Sequence, residues 1–138
     1  MIILDTNVLS ELMRPEPSQR VLDWVADQIR TQIFTTTISQ AEILNGLALL
    51  PEGRRRTGLT DAADQMFAED FAGQILSFDG VAAEAFAAIA ASRRRMGSPI
   101  QPLDGQIAAI AVAQGASIAT RDVTDFQRCG VELINPWG

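Results

Sequence analysis

Residues 1–10 read Met-Ile-Ile-Leu-Asp-Thr-Asn-Val-Leu-Ser, and the fold turns on how this stretch is read. Ile2–Leu4 is a short apolar run, and Asp5 ends it abruptly. That pattern predicts a buried strand with an acid at its carboxyl end. A short helix is expected next, over Val8–Met13, before Pro15 and Pro17 break it. The same alternation continues outward. Ser18 caps a predicted helix to about Ile29, with Val21, Leu22, Val25 and Ile29 on its buried side. Ile33–Thr37 reads as a strand. Ser39-Gln-Ala-Glu42 has the pattern of a capping box and opens a helix to about Leu50. After Pro51 and Gly53 a helix covers roughly Arg55–Glu69, and Ile75–Phe78 is strand-like. Asp79 caps an alanine-rich helix that ends in Arg93-Arg94-Arg95 before Gly97. Pro102–Gln114 is helical with Gly115 as its stop. Ser117–Thr120 and Val131–Ile134 are the last strands.

Strands separated by helices require crossovers, so the fold class is α/β: three layers, with a mainly parallel central sheet flanked by helices. The 138 residues form one domain, 1–138. In such sheets ligands gather at the carboxyl ends of the strands. Asp5 ends the first strand and Asp122 follows the strand ending at Thr120, so both belong on one rim.

Composition narrows the chemistry. The chain has no His and no Lys; all 11 basic residues are arginine. Ser-His or Cys-His nucleophile pairs, His-bound zinc, Schiff-base lysines and a P-loop lysine are excluded. Any acid–base or ligand chemistry falls to carboxylates and water. A net charge of −6 argues against broad coating of nucleic acid but suits a basic partner protein. The lone Cys129 gives no disulfide framework and reads as a filler. No stretch has the length of a membrane span or the form of a signal peptide, so a cytoplasmic location is expected.

Four carboxylates stand out by position. Asp5 reads either as a helix N-cap or as a rim ligand. Glu42 reads as a capping-box residue or as a group aimed into a cleft. Asp104 lies in the first turn of an almost wholly apolar helix, where the helix dipole favours an acid. Asp122 and Asp125, three apart, follow the strand at Thr120. Converging carboxylates repel one another, and a divalent cation offsets that repulsion. An all-oxygen set suits Mg²⁺, with Mn²⁺ able to substitute. Asp122 is preferred over Asp125 because it lies nearer the strand end, whereas Asp125 precedes Phe126 and is better placed to cap the turn. The runs Arg54-Arg55-Arg56 and Arg93-Arg94-Arg95 read as solvated faces or as RNA contacts. Arg121, beside the acids, is the better candidate for phosphate.

These residues carry a resemblance. Ile2-Ile-Leu-Asp5-Thr6-Asn7-Val-Leu-Ser10 resembles the first motif of PIN domains, Ser39-Gln-Ala-Glu42-Ile-Leu-Asn-Gly46 the second, and Asp104-Gly-Gln-Ile-Ala-Ala-Ile-Ala the third. Ile118-Ala-Thr120-Arg121-Asp122-Val-Thr-Asp125-Phe126 resembles the fourth, and Asn135-Pro136-Trp137 is a familiar end. The match runs through the whole chain in order and is most similar to VapC toxins of the FitB-like branch. The resemblance implies a Mg²⁺- or Mn²⁺-dependent endoribonuclease, the toxin of a type II toxin–antitoxin pair, with an RNA substrate and a cognate antitoxin that is often DNA-binding. It also implies a homodimer. Asp5, Glu42, Asp104 and Asp122 would be the catalytic and metal-site residues, supported through hydrogen bonds by Thr6, Asn7 and Thr120. Many members carry Asn where this chain has Asp122. Two other readings stand beside it. A phosphatase of the haloacid-dehalogenase type would use Asp5 as nucleophile, but it wants an Asp where Asn7 stands and a lysine the chain lacks. An inactive PIN-like module would use the acids only to grip a basic partner; metal-dependent cleavage separates that reading from the first.

Overall fold

The computed structural model describes residues 1–138. Five strands form one sheet: β1 (Ile2–Leu4), β2 (Ile33–Thr36), β3 (Ile75–Leu76), β4 (Ser117–Ala119) and β5 (Leu133–Ile134). Every pairing is parallel and the order is β3-β2-β1-β4-β5, so β1 is central. Ile3 pairs with Phe34 on one side and Ile118 on the other. The chain leaves β1 toward β2 and β3, then returns across the sheet to β4. That reversal places the topological switch point between β1 and β4, where α/β sheets open a crevice.

Six helices cover the two faces: α1 (Thr6–Leu12), α2 (Gln19–Ala26), α3 (Thr37–Ala48), α4 (Arg54–Gln65), α5 (Gly80–Arg95) and α6 (Pro102–Gln114). Side-chain alternation along the strands builds two cores. Ile3 and Ile118 join Ile107, Ile110 and Phe126 beneath α5 and α6. Leu4 and Ala119 join Val8, Leu9, Ile43, Leu47 and Phe67 beneath α1–α4. A sheet buried on both faces explains why its strands read as continuous apolar runs.

Some local expectations change. The helix after β1 starts at Thr6, two residues early, and α2 ends at Ala26. Ile29 therefore lies beyond the helix and is 70% exposed rather than buried. The helix bearing Glu42 starts at Thr37, because the Thr36 hydroxyl, not Ser39, accepts the capping bond from the Ser39 amide. Glu42 thus sits in the second turn, outside any capping box.

Arg93 is the largest correction. It is buried instead of solvated, and only Arg94 and Arg95 of that run stay exposed. Its guanidinium donates to the carbonyls of Ser98, Asp125 and Gln127 at 2.7–3.0 Å. It thereby ties the end of α5 to the turn after β4, and it touches buried Cys129. Arg93→Ala would leave those carbonyls without a partner, at a cost of about 1–3 kcal/mol or more. Chemical denaturation is expected to show that loss, while Arg94→Ala, on the exposed face, shifts the midpoint little.

Candidate metal centre

Two strand ends and two helices deliver the acids to the switch point. Asp5 follows β1 directly, and its amide donates to the Ala119 carbonyl at 2.9 Å. It occupies the N-cap position of α1 but makes no side-chain capping bond. Its carboxylate instead accepts the Thr120 hydroxyl at 2.9 Å and is 5% exposed. Of the alternatives open for Asp5, the cap is therefore not what holds its side chain. From α3, Glu42 accepts the Thr6 hydroxyl at 2.9 Å, and buried Ser39 lies at the same distance from that hydroxyl. Asp104 projects from the first turn of α6. From the end of β4, Asp122 accepts the Asn7 amide at 3.0 Å.

Asn7 also donates to the Thr120 hydroxyl and accepts the Arg121 amide. Thr6, Asn7 and Thr120 thus bridge acids on different elements. One open cleft of about 470 Å³ is lined by Asp5, Glu42, Asp104 and Asp122 together with Thr6, Asn7 and Arg121. Asp125 does not line it. Even so, its charge raises the Asp104 carboxyl more than Asp122 does. Asp122 is thus tethered to Asn7 in the cleft, while Asp125, outside its lining, contributes to the rise at Asp104.

Two residues at the rim escaped the sequence reading. Glu11, 6% exposed, lines the cleft, accepts the Ser18 amide at 3.2 Å and pairs with Arg14 at 3.5 Å. An acid inside the apolar pattern of α1 was the available signal. Trp137 lines the cleft beneath the Arg121 guanidinium, 5.2 Å from its ring centroid, which is cation–π range.

Electrostatics single out two of the four acids. Asp5 is pushed up from 3.8 to about 6, chiefly by burial, then by the charges of Asp104 and Glu42, against bonds from Thr6 and Thr120. Asp104 is also pushed up to about 6, by burial first and then by Asp125, Glu42 and Asp122, with Arg93 opposing. No basic side chain offsets the rise at Asp5, and only Arg93 opposes it at Asp104. No three acids form a finished metal cage. Mg²⁺, however, keeps several waters and needs only one or two direct carboxylates. The donors are hard oxygens on mutually repelling carboxylates, Asp5 buried and the others open to the cleft, which fits Mg²⁺ or Mn²⁺ and not zinc.

Residues 2–131 match the PIN domain family. The chain belongs to the PIN-domain family. It is 41% identical to "VapC ribonuclease Y4jK" of Sinorhizobium fredii, over 99% of this chain and 98% of that one. It is 39% identical to "Toxin FitB" of Neisseria gonorrhoeae, over 99% of both chains. Among solved structures, that of FitAB bound to the IR36 DNA fragment superposes with a TM-score of 0.93 at 38% identity, covering 100% of this PIN domain and 96% of that chain. The resemblance carried by the four motifs therefore holds at the level of family and fold.

The raised carboxyls give this PIN domain a signed pH dependence. A carboxyl raised in the folded state stabilises fully below its unfolded value near 3.8, and that contribution is lost as pH rises through about 6. Without divalent cations, Asp5→Asn is expected to melt above the wild type at pH 7, by roughly 1–3 kcal/mol for a shift of about two units. The gap should close toward pH 4. Asp104→Asn should do the same more weakly, because it is only half-buried and solvent screens it. Calorimetry across pH 4–8 in EDTA checks this; an Asp5→Asn protein less stable than wild type at pH 7 would sink it.

Proposed function

We propose that this PIN domain is a Mg²⁺-dependent endoribonuclease, with Mn²⁺ able to substitute, acting in the cytoplasm as the toxin of a toxin–antitoxin pair. The observation that carries the reading is the convergence of Asp5, Glu42, Asp104 and Asp122 on one cleft at the switch point of a PIN-domain sheet. Relatives named as a ribonuclease and as a toxin, each matched over at least 98% of its length, support it.

Asp5 and Asp104 would hold the cation directly, and Glu42 and Asp122 would hold it or its waters. When bound, the cation supplies a water of lowered pKa and positive charge against the negative charge that builds on the phosphate. The chain's own groups do the rest. Thr120 and Asn7 keep Asp5 and Asp122 oriented, as Thr6 does for Glu42. A rim carboxylate takes the proton of the attacking water. Arg121, steadied over Trp137, meets a phosphate oxygen at the cleft mouth.

The partner is a cognate antitoxin with a basic segment, suited to a cleft rich in carboxylates. No helix is long and apolar enough to cross a membrane. The exposed apolar residues Val81, Leu103 and Val112 on α5 and α6 offer surface for a homodimer.

Purified protein is expected to cut RNA with Mg²⁺ or Mn²⁺, to stop in EDTA, and to lose at least a hundredfold in rate as Asp5→Asn or Asp104→Asn. Cleavage surviving excess EDTA in a clean preparation would remove the metal mechanism. Under limiting Mg²⁺, Asp122→Asn should weaken cleavage more than Asp125→Asn does; the reverse ranking would move the fourth role to Asp125. Production of the chain alone should arrest growth, and co-production of the antitoxin should restore it. Normal growth alongside soluble, active nuclease would count against the toxin role.

A further inference from the structure

A second groove, of about 630 Å³, opens directly off the acidic cleft. Thr6, Ser10, Arg14 and Glu42 line both, so the two are continuous. Its far walls are α3 and α4, and Arg54 and Arg55 stand on the α4 side. The single ion pair of the whole chain is Arg14–Glu11. Arg54 and Arg55 are therefore exposed cations with no carboxylate within ion-pairing distance.

Helix stability does not account for them. They occupy the first two positions of α4, behind Gly53, which offers no side-chain cap. Cations are disfavoured at a helix N-terminus. The run at the C-terminal end of α5 is placed as the dipole prefers, so the two arginine runs differ in kind.

The groove also carries two glycines without a packing reason. Gly46 lies inside α3 and Gly58 inside α4, and both line the groove. A Cβ added at either meets nothing within 4 Å. Gly105 in α6 is the contrast: a Cβ there would stand 2.9 Å from the Phe86 ring. Inside a helix, glycine is the least favourable residue after proline. Two helices thus carry an unfavourable residue where packing does not ask for it, and the result is an open channel between them.

We infer that this groove holds the flanking phosphates of a single-stranded RNA whose next linkage lies in the acidic cleft. The inference rests on the ribonuclease reading proposed for the cleft. Arg14, Arg54 and Arg55 meet the flank on one side of the cleft, and Arg121 over Trp137 meets the other. The acids lie between two cationic ends, so the strand is held at its phosphates while the reacting linkage sits over the carboxylates. Phosphate contacts carry no base preference, so this flank is read without sequence.

The test separates long from minimal substrates. Binding of a mixed-sequence RNA oligomer of about a dozen nucleotides is measured in EDTA by fluorescence anisotropy. Its cleavage, and that of a dinucleotide, are measured with Mg²⁺. The Arg54→Ala/Arg55→Ala double variant is expected to raise the oligomer's Kd and KM about tenfold and to leave dinucleotide cleavage near wild type. The slope of log affinity against log salt should flatten by about 1.4, because two phosphates of a single strand are no longer neutralised by the protein. Gly46→Leu and Gly58→Leu should weaken oligomer binding similarly while melting at or above the wild-type temperature, which a merely structural role would not produce. Wild-type protein that neither binds nor cuts RNA overturns the ribonuclease reading and the groove with it. Wild-type protein that cuts RNA, alongside groove variants matching it on the oligomer, overturns the groove alone. Variants that keep RNA affinity but lose binding to the antitoxin assign the groove to a protein and overturn the inference as well.

Discussion

A carboxylate buried at the end of the central strand, with no cation beside it, governs this molecule. Asp5 sits buried between β1 and α1, and its carboxylate is supported by the Thr6 amide and the Thr120 hydroxyl. Two neutral hydrogen bonds do not offset the desolvation of that charge, and the carboxyl stays raised. Asp104 arrives from α6 and Glu42 from α3, and each adds repulsion at Asp5. A fold concentrating like charge at its switch point is short of stability in that place, a deficit that a bound cation would offset by mass action. The threonine and asparagine bridges from Thr6, Asn7 and Thr120 keep the acids facing one space rather than splaying apart.

Much of the fold was legible because its strands are buried on both faces and its helices carry clear punctuation. Pro102 opens α6, and Gly115, at φ 63°, closes it in the left-handed region where glycine is at ease. Asp79 caps α5 as its sequence suggests, through the Ala82 amide at 2.9 Å. What local pattern does not contain is strand order, since neighbours in the sheet are set by how crossovers pack. Competition between equivalent caps was also invisible. Thr36 and Ser39 are both good N-caps, and the end of β2 decides for Thr36. Ile29 reads as one more core position until the helix stops three residues before it.

The acids of the site were legible by position, each standing at the end of an apolar run or on an apolar helix. Their connections were not. Asn7 binding both Thr120 and Asp122 spans more than a hundred residues of chain, a contact that no spacing rule reaches. Arg93 misled for the opposite reason: three consecutive arginines look solvated, and only tertiary packing shows that the first satisfies three carbonyls. In the run Arg54–Arg56 the first two stay exposed at a helix end where their charge is disfavoured, so identical local sequence carries two different physical meanings.

We propose that the crowded acids form a cation site, and a crystal of the protein grown with Mn²⁺ would reveal it through the metal's anomalous scattering. A peak is expected within direct coordination distance of the Asp5 and Asp104 carboxylates, absent from crystals of Asp5→Asn. Saturating Mn²⁺ that leaves that cleft without a peak, or that binds only elsewhere on the surface, would contradict it.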